Sequence, residues 1–340
     1  MRNWYETIDS ENPLVISSRI RLARNIKGIP FPKRMNDVQK NETLETIKKL
    51  LDGVFVEGVG VLKYINMDAV PKEEVFAMVE RHIISPDFAK KEGPKGIVIS
   101  ENETVSIMLL EEDHIRIQVL KGGFRLVEAY EICKKIENIL ACGLTIAFDD
   151  QLGYLTECPT NLGTGLRASV MLHLPILEGS GNLSPLAESV SKIGLTVRGM
   201  YGEGSRSHAA LYQLSNQVTL GISEQTAIEN LSAIATQIVQ KELTLREGLD
   251  KKTLEDSVYR ALGTLKYARV LTSEEMMNLL SSVKLGTEMG ILENIDPTLP
   301  MALLIEAQPF TLQKTNGRMT PADRDFLRAT IIRKRLENKG

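Results

Sequence analysis

No apolar run in this 340-residue chain approaches the ~20 residues that cross a bilayer. The opening segment MRNWYETIDSENP also lacks the apolar core of a secretory leader. Cysteine is scarce. Cys133, Cys142 and Cys158 are the 3 present, too few for a disulfide framework and without the paired Cys/His spacing of a zinc site. Neither sign of charge dominates: 41 Lys plus Arg stand against 44 Asp plus Glu, a net charge of −3. Binding of nucleic acid by bulk charge is thereby disfavoured. Internal repeats and low-complexity segments are missing, as are a Walker A loop and the H-R-D and D-F-G set of the serine, threonine and tyrosine kinases. These absences predict a reduced, soluble, cytoplasmic protein of about two domains, with no membrane or direct nucleic-acid partner and no metal-ligand cluster of its own.

The first part of the chain mixes strand and helix patterns. Val38, Leu44, Ile47 and Leu51 predict one helix, and Pro71 opens another with Val75, Met78 and Val79 facing inward. Runs at 96–100 and 104–110 about the turn Glu101-Asn102-Glu103 predict a hairpin. From His114 to Leu120 the alternation is clean: Ile115, Ile117 and Val119 share one face, and His114, Arg116 and Gln118 the other. A helix is predicted over 125–141, with further strands at 144–148, 154–156, 193–200 and 211–220. Short connections favour antiparallel pairing, hence an α+β fold with an antiparallel sheet flanked by helices. From Ser223 onward only helical periodicity remains, with runs to about Gly248 and over 253–268. Thr272 with Glu275 opens the next helix, and Thr320-Pro321 with Asp323 opens the last. A boundary near Leu249 to Lys252 divides residues 1–250 from a smaller all-helical domain at 251–340. In that domain Met276, Leu279, Leu280 and Val283 fit either core or the seam of a homodimer.

Four segments bring arginine to strand ends and loops. In Ser17-Ser18-Arg19-Ile20-Arg21-Leu22-Ala23-Arg24, an extended chain puts Arg19 and Arg21 on one face. Neighbouring guanidiniums repel unless an anion sits between them, so the motif fits a polyphosphate grip or a basic surface strand. In Glu111-Glu112-Asp113-His114-Ile115-Arg116 adjacent carboxylates raise one another's pKa. The segment fits a solvated turn or a base beside an anion site. In Cys158-Pro159-Thr160-Asn161-Leu162-Gly163-Thr164-Gly165-Leu166-Arg167, Gly163, Gly165 and Ala168 match the dinucleotide pattern G-x-G-x-x-A. Pro159 intervenes, however, Pro175 follows soon after, and no strand ending in an acidic ribose ligand appears, which excludes that reading. A Gly-rich loop delivering Arg167 is left. Arg198-Gly199-Met200-Tyr201-Gly202-Glu203-Gly204-Ser205 again joins an arginine to a glycine loop. A triphosphate with its magnesium would meet this demand for negative charge.

In this order, SSRIR, EEDHIR, CPTNLGTGLR and the later RG loop resemble the phosphagen (guanidino) kinases, the family of creatine and arginine kinases. The resemblance implies ATP with Mg2+ as phosphoryl donor and a guanidinium as acceptor. It implies that Glu112 is the catalytic carboxylate, with Asp113 as its helper and Cys158 beside the acceptor; a buried small apolar residue is the alternative for Cys158. The nucleotide-binding positions it implies are Ser17, Ser18, Arg19, Ile20 and Arg21; His82 and Arg116; Arg167, Ala168, Ser169, Val170 and Met171; and Arg198, Gly199, Met200, Tyr201, Gly202 and Glu203. For His82 the alternative is a cation on a helix C-terminus. Leu110 stands where the family usually has Asn.

Only 16 residues precede Ser17, whereas members acting on small guanidino compounds begin with an additional helical domain, and here a helical segment follows the catalytic part instead. That arrangement resembles the branch that phosphorylates arginine side chains within proteins. It implies protein substrates, including the heat-shock repressor CtsR, an activator McsA, and degradation of the marked proteins through the Clp ATPase ClpC. Arg324-Asp325-Phe326-Leu327-Arg328-Ala329 resembles that branch's RDxxRA motif, an allosteric phosphoarginine pocket made here by Arg324, Asp325, Arg328 and Ala329. Arg324 and Arg328, four apart, are expected to project from one helix face; a solvated basic helix continuing through Arg333, Lys334 and Arg335 is the alternative. The rival functions are a kinase for free arginine or another small guanidino compound, and a non-catalytic phosphoarginine-binding adaptor.

Overall fold

Alternating side chains build the sheet at the centre of the fold. The computed structural model describes residues 3–200 and 209–337. In chain order its strands are β1 (Val15–Arg24), β2 (Phe55–Val56), β3 (Gly60–Asn66), β4 (Gly96–Ser100), β5 (Val105–Leu109), β6 (Ile115–Gly122), β7 (Phe148–Asp149), β8 (Gly153–Tyr154), β9 (Leu166–His173), β10 (Leu195–Gly199) and β11 (Leu211–Asn216). Nine of them form one antiparallel sheet in the order β10-β11-β9-β1-β6-β5-β4-β3-β2, while β7 and β8 make a separate ribbon. The helices are α1 (Asp37–Leu51), α2 (Lys72–Glu80), α3 (Pro86–Lys90), α4 (Leu126–Ala141), α5 (Pro175–Gly179), α6 (Leu183–Ser191) and α7 (Glu224–Glu247), followed by α8 (Lys251–Tyr267), α9 (Ser273–Glu288), α10 (Leu299–Glu306), α11 (Pro309–Asn316) and α12 (Pro321–Glu337). This is the α+β arrangement the patterning predicts. Among the described residues no helix is long and apolar enough to cross a membrane.

The two faces of the sheet differ in chemistry. On the back, Ile20 and Leu22 of β1, Ile115, Ile117 and Val119 of β6, and Ala168 and Val170 of β9 pack under α1, α4 and α7 as the main core. On the front, two smaller cores flank a polar gap. Met108, Ile97 and Ile99 pack with Val75, Met78 and Phe88 of α2 and α3. At the other end Leu120, Met171 and Leu211 pack with Trp4, Tyr5 and the apolar faces of α8, α9, α10 and α12. Met276, Leu280 and Val283 belong to that core, with Leu279 against it, so the face that could have been a dimer seam is interior.

Three predicted strands change. The run at 144–148 makes an isolated bridge, Ile146 to Ile26, and only its Phe148 enters a strand, β7, while of the run at 154–156 only Tyr154 is strand, in β8. The chain reverses at Asp149, whose carboxylate accepts the N–H groups of Gln151 and Leu152 at 2.9 Å each, so the β7–β8 ribbon forms instead. The strand foreseen over 211–220 ends at Asn216, whose amide accepts the Ala168 N–H at 2.8 Å and donates to the Leu166 and Val218 carbonyls at 3.1 Å each. Beyond it the chain runs along the 159–165 loop, where Thr164 N–H donates to the Thr219 carbonyl at 2.9 Å.

Candidate active site

Residues paired across a ladder share a face. The registers Arg21↔Arg167, Arg21↔Gln118, Arg19↔Ser169 and Arg198↔Gln213 therefore gather polar side chains in the gap on the front of the sheet. A cavity of about 420 Å³ opens there, lined by Arg19, Arg21, His82, Arg116, Arg167, Arg198, Met200 and Gln213 among others. Arg19 donates to Gln213 and, at 3.4 Å, to Ser169 Oγ. Arg21 Nε is buried with no hydrogen-bond partner among the described residues. Burial and the neighbouring charges of Arg116 and Arg167 push Arg19 down to about 10. The same causes, with Arg19 added, push Arg21 well below the usual arginine range. Such a lining favours an anion with many oxygens.

His82 follows α2 at φ 61° and stands edge-on to Trp4, the ring centroids 5.7 Å apart. Burial and the Arg19 charge push it down to about 3, so it is a neutral imidazole in the cavity wall and not a cation capping a helix. The cation at that helix end is Arg81, paired with Glu74 at 2.9 Å and Glu103 at 3.0 Å.

A second recess, about 110 Å³, adjoins the first and is lined by Arg21, Ala23, Glu111, Glu112, Asp113, Arg116, Thr160, Asn161, Gly165 and Arg167. The three adjacent carboxylates do not act alike there. Glu111 turns inward, ion-paired to Arg116 and accepting from Ser85, while its carbonyl accepts from Lys91. Burial alone would raise it, but Arg116 and these hydrogen bonds hold it below the usual carboxylate range. Asp113 is buried, and its Oδ1 accepts from Asn25 Nδ2 at 2.6 Å and the Glu157 N–H at 2.8 Å. Glu112 is exposed to the recess, with Asn161 Nδ2 at 3.5 Å and the Cys158 side chain alongside. Partial desolvation, then the like charges of Asp113 and Glu111, push Glu112 above the usual carboxylate range against the pull of Arg116. A carboxylate raised in this way is the better proton acceptor.

The cysteine loop closes the recess. Cys158 is half-exposed with Sγ 3.0 Å from Thr160 Oγ1, so the buried apolar alternative does not hold. Gly163 and Gly165, at φ 106° and 60°, lie against backbone. A Cβ on Gly163 would fall 2.2 Å from the Thr219 carbonyl oxygen, and one on Gly165 2.7 Å from that of Ala23. Their role is close chain approach, which sets the loop beside β1.

Other positions implied by the resemblance divide by strand alternation. Ser17 and Ser169 face the front beside Arg19, with Met171 under them. Ser18, Ile20, Ala168 and Val170 face away: Ser18 Oγ donates to the Gly123 carbonyl, and the other three lie in the main core. Gly199 ends β10 and Met200 lines the cavity. Tyr201, Gly202 and Glu203 lie outside the described residues. In the last helix Arg328 turns inward instead of projecting with Arg324. It is 1% exposed and donates to the Ala307 carbonyl at 2.9 Å, the Leu271 carbonyl at 2.7 Å and the Asp325 carboxylate. Ala329 is core as well, and Arg333 donates to the Ala268 carbonyl, while Lys334 and Arg335 are exposed.

Several residues of the site are ones the motifs did not single out: Asn25, Ser85, Lys91, Glu111 as the partner of Arg116, and Gln213. Arg24 lies outside the site, on the other face of β1, fully buried between Glu137 and Glu224 and 3.4 Å from the Tyr154 ring centroid. Except for Glu111, five residues from Arg116, their partners are distant in sequence, so no local spacing reveals them.

Residues 42–245 match the family model of the ATP:guanido phosphotransferase C-terminal catalytic domain, and 251–340 match that of the protein-arginine kinase McsB C-terminal domain. The chain is 44% identical over 340 residues to the protein-arginine kinase of Halothermothrix orenii, covering 99% of this chain and 97% of that protein. It is 44% identical over 338 residues to that of Brevibacillus brevis, covering 98% and 95%. Among solved structures, lombricine kinase superposes with a TM-score of 0.61 at 25% identity, covering 69% of this chain and 68% of that one. The duplicated taurocyamine kinase of Schistosoma mansoni with bound transition-state-analogue components gives 0.61 at 26% identity, covering 78% and 38%. The chain is thus a phosphotransferase that belongs to the ATP:guanido phosphotransferase family, among its protein-arginine kinases.

Proposed function

We propose that this enzyme transfers the γ-phosphoryl group of ATP to arginine side chains in proteins, with Glu112 as base and Arg19, Arg21, Arg116, Arg167 and Arg198 gripping the polyphosphate. The observation that carries the reading is a shared wall: Arg21, Arg116 and Arg167 line both the large cavity and the recess holding Glu112. Phosphoryl transfer asks a protein mainly for positioning and charge stabilisation, and guanidiniums set between donor and acceptor supply both. An acceptor guanidinium has a pKa above ~12, so its nitrogen is a poor nucleophile until a proton leaves. The nitrogen lone pair attacks the γ-phosphorus and the bond from phosphorus to the bridging oxygen breaks. ADP departs with that electron pair, and the nitrogen's proton passes to Glu112. Cys158, beside Glu112, would contact the acceptor, where a thiolate adds negative charge.

The cavity's lining is cationic and suits phosphate oxygens better than a bare metal ion. Magnesium would enter on the nucleotide and neutralise phosphate charge there.

Residues 1–250 would form the catalytic domain, and 251–340 a helical regulatory domain whose Arg324, Asp325, Arg328 and Ala329 bind phosphoarginine. That binding asks Arg328 to leave the Leu271 and Ala307 carbonyls, which couples it to a shift of α12. Kinship with the protein-arginine kinases supports a cytoplasmic stress-response role in which marked proteins, CtsR among them, are degraded through ClpC with McsA as activator.

The test is to incubate the full chain with ATP and magnesium, offering an arginine-containing protein or free arginine, and to read the products by mass spectrometry that preserves the acid-labile P–N bond. Phosphoarginine within the protein is the expected result. Phosphate on free arginine alone would favour the small-guanidino reading, and phosphoarginine binding without ATP consumption an adaptor.

A further inference from the structure

We infer that Asn25 is a positioning residue that clamps the loop carrying Glu112 to the loop carrying Cys158, so that both meet the acceptor guanidinium in one frame. The inference rests on Glu112 being the base. Asn25 is the first residue beyond β1 and its side chain is 1% exposed. Its Nδ2 donates to Asp113 Oδ1 at 2.6 Å and to the Leu155 carbonyl at 2.9 Å, and its Oδ1 accepts the His114 N–H at 2.8 Å. A backbone N–H can only donate, so the amide has one possible orientation.

Asp113 completes the clamp. Its Oδ1 also accepts the Glu157 N–H, at 2.8 Å. Glu112 thus precedes the residue that owns this oxygen, and Cys158 follows the residue whose N–H binds it. Backbone bonds reinforce the junction: Ala147 N–H donates to the Asn25 carbonyl at 2.7 Å, and Ile26 N–H to His114 Nδ1 at 3.0 Å. Asn25 also extends the strand that holds Arg19 and Arg21. It therefore sets the base and the thiol relative to the phosphate grip. In-line transfer is sensitive to displacements of this kind: a shift of ~1 Å in the reacting geometry costs ~100-fold.

The experiment compares full-length Asn25→Ser, Asp113→Ala, the double variant and Asp113→Asn, with Glu112→Ala alongside. An amide oxygen at position 113 still accepts both N–H groups, so Asp113→Asn keeps the clamp that Asp113→Ala removes. Each broken-clamp variant is expected to lose ~10-fold or more in kcat with the KM for ATP within ~2-fold of wild type. The double variant should be no worse than the poorer single one, because one linkage is lost either way, and Asp113→Asn should lose clearly less kcat than Asp113→Ala. An ATP-induced rise in melting temperature certifies that a variant is folded. If Asn25→Ser proves unstable, the contrast between Asp113→Ala and Asp113→Asn decides alone. Additive losses, a KM for ATP that rises in step with the fall in kcat, or equal activity of Asp113→Ala and Asp113→Asn would overturn the clamp. Turnover by Glu112→Ala would overturn the base assignment beneath it, whereas an inactive Glu112→Ala beside active clamp variants removes only the clamp.

Discussion

Arg21 and Arg167 stand directly opposite one another across the β1–β9 ladder, on the same face of the sheet. Like charges in that position weaken a strand pair, and Arg19 and Arg116 add to the repulsion at Arg21. The front of the sheet is apolar on either side of this gap. The gap therefore gives up stability for a cluster of charge that Glu111 offsets only in part.

Arg21→Met tests that trade. Without nucleotide the variant should melt at the wild-type temperature or a few degrees above it, since a desolvated like charge is gone. The stabilisation that ATP confers on the wild type should shrink sharply and the KM for ATP should rise ~10-fold or more. Thermal melts with and without ATP read both effects. A large loss of stability without nucleotide would instead make Arg21 a structural residue.

Glu112 gives a signed pH prediction. Its carboxyl is raised by partial burial and by Asp113 and Glu111, so kcat/KM should fall with acid along a limb lying above the ordinary carboxylate range. Stability runs the opposite way. A group whose folded pKa is raised favours the fold fully only below its unfolded pKa, and that contribution is lost as pH rises through the folded value. Near neutrality the ionised side chain opposes folding. Glu112→Gln should therefore abolish turnover while melting at or above the wild-type temperature, with ATP binding kept. A pH-rate profile and a melt suffice.

What could be read from the sequence follows from how local its cause is. Strand alternation placed Ile115, Ile117 and Val119 opposite Arg116 and Gln118 because period 2 is a property of neighbouring residues. It also shows why Ser18, Ile20, Ala168 and Val170 cannot share the arginines' face. Helix α10 was invisible for the converse reason: Leu299 to Ile305 are all buried, so no polar face marks a period. In the site, the motifs located the arginines and Glu112, but the split among Glu111, Glu112 and Asp113 depends, besides Arg116 of the same motif, on Ser85, Asn25 and Glu157, which only folding brings near. Arg328 likewise meets carbonyls from two other segments.

Arg24 should be a stability residue. It is fully buried, ion-paired to Glu137 and, at 2.8 Å, to Glu224, and it donates to the Thr164 carbonyl at 2.9 Å. Arg24→Ala leaves Glu137 and Glu224 with only the partly exposed Lys134 between them, and breaking a buried pair in this way costs about 3–5 kcal/mol. Urea unfolding measures it. An effect below ~1 kcal/mol would mean that water reaches the pair and screens it.

Alkylation separates the cysteines. Cys133 is buried and its thiol is pushed up by that burial, Cys142 lies on the surface, and Cys158 alone sits beside Glu112. Iodoacetamide should inactivate the wild type and leave Cys158→Ser active, with bound ATP and protein substrate slowing the wild-type loss. Equal inactivation of the variant would move the sensitive thiol to Cys142.

His82 yields the acid-side prediction. Burial and Arg19 push it from 6.5 down to about 3. Between those values the unfolded chain binds a proton that the folded protein refuses. The neutral imidazole's contribution to stability is therefore complete above 6.5 and lost steadily as pH falls toward 3. In His82→Gln that loss is absent. The wild type should shed stability more steeply than the variant from pH 7 to 5, while His114 and His173, both also lowered, titrate alike in the two proteins and cancel from the difference. ATP sharpens the test. Polyphosphate charge entering the cavity favours protonated His82 and offsets Arg19, so saturating ATP should flatten the wild-type slope toward that of the variant. Urea midpoints at a few pH values, with and without ATP, give the comparison. Parallel slopes without nucleotide would mean that His82 is solvated and charged, and would remove it from the cavity wall.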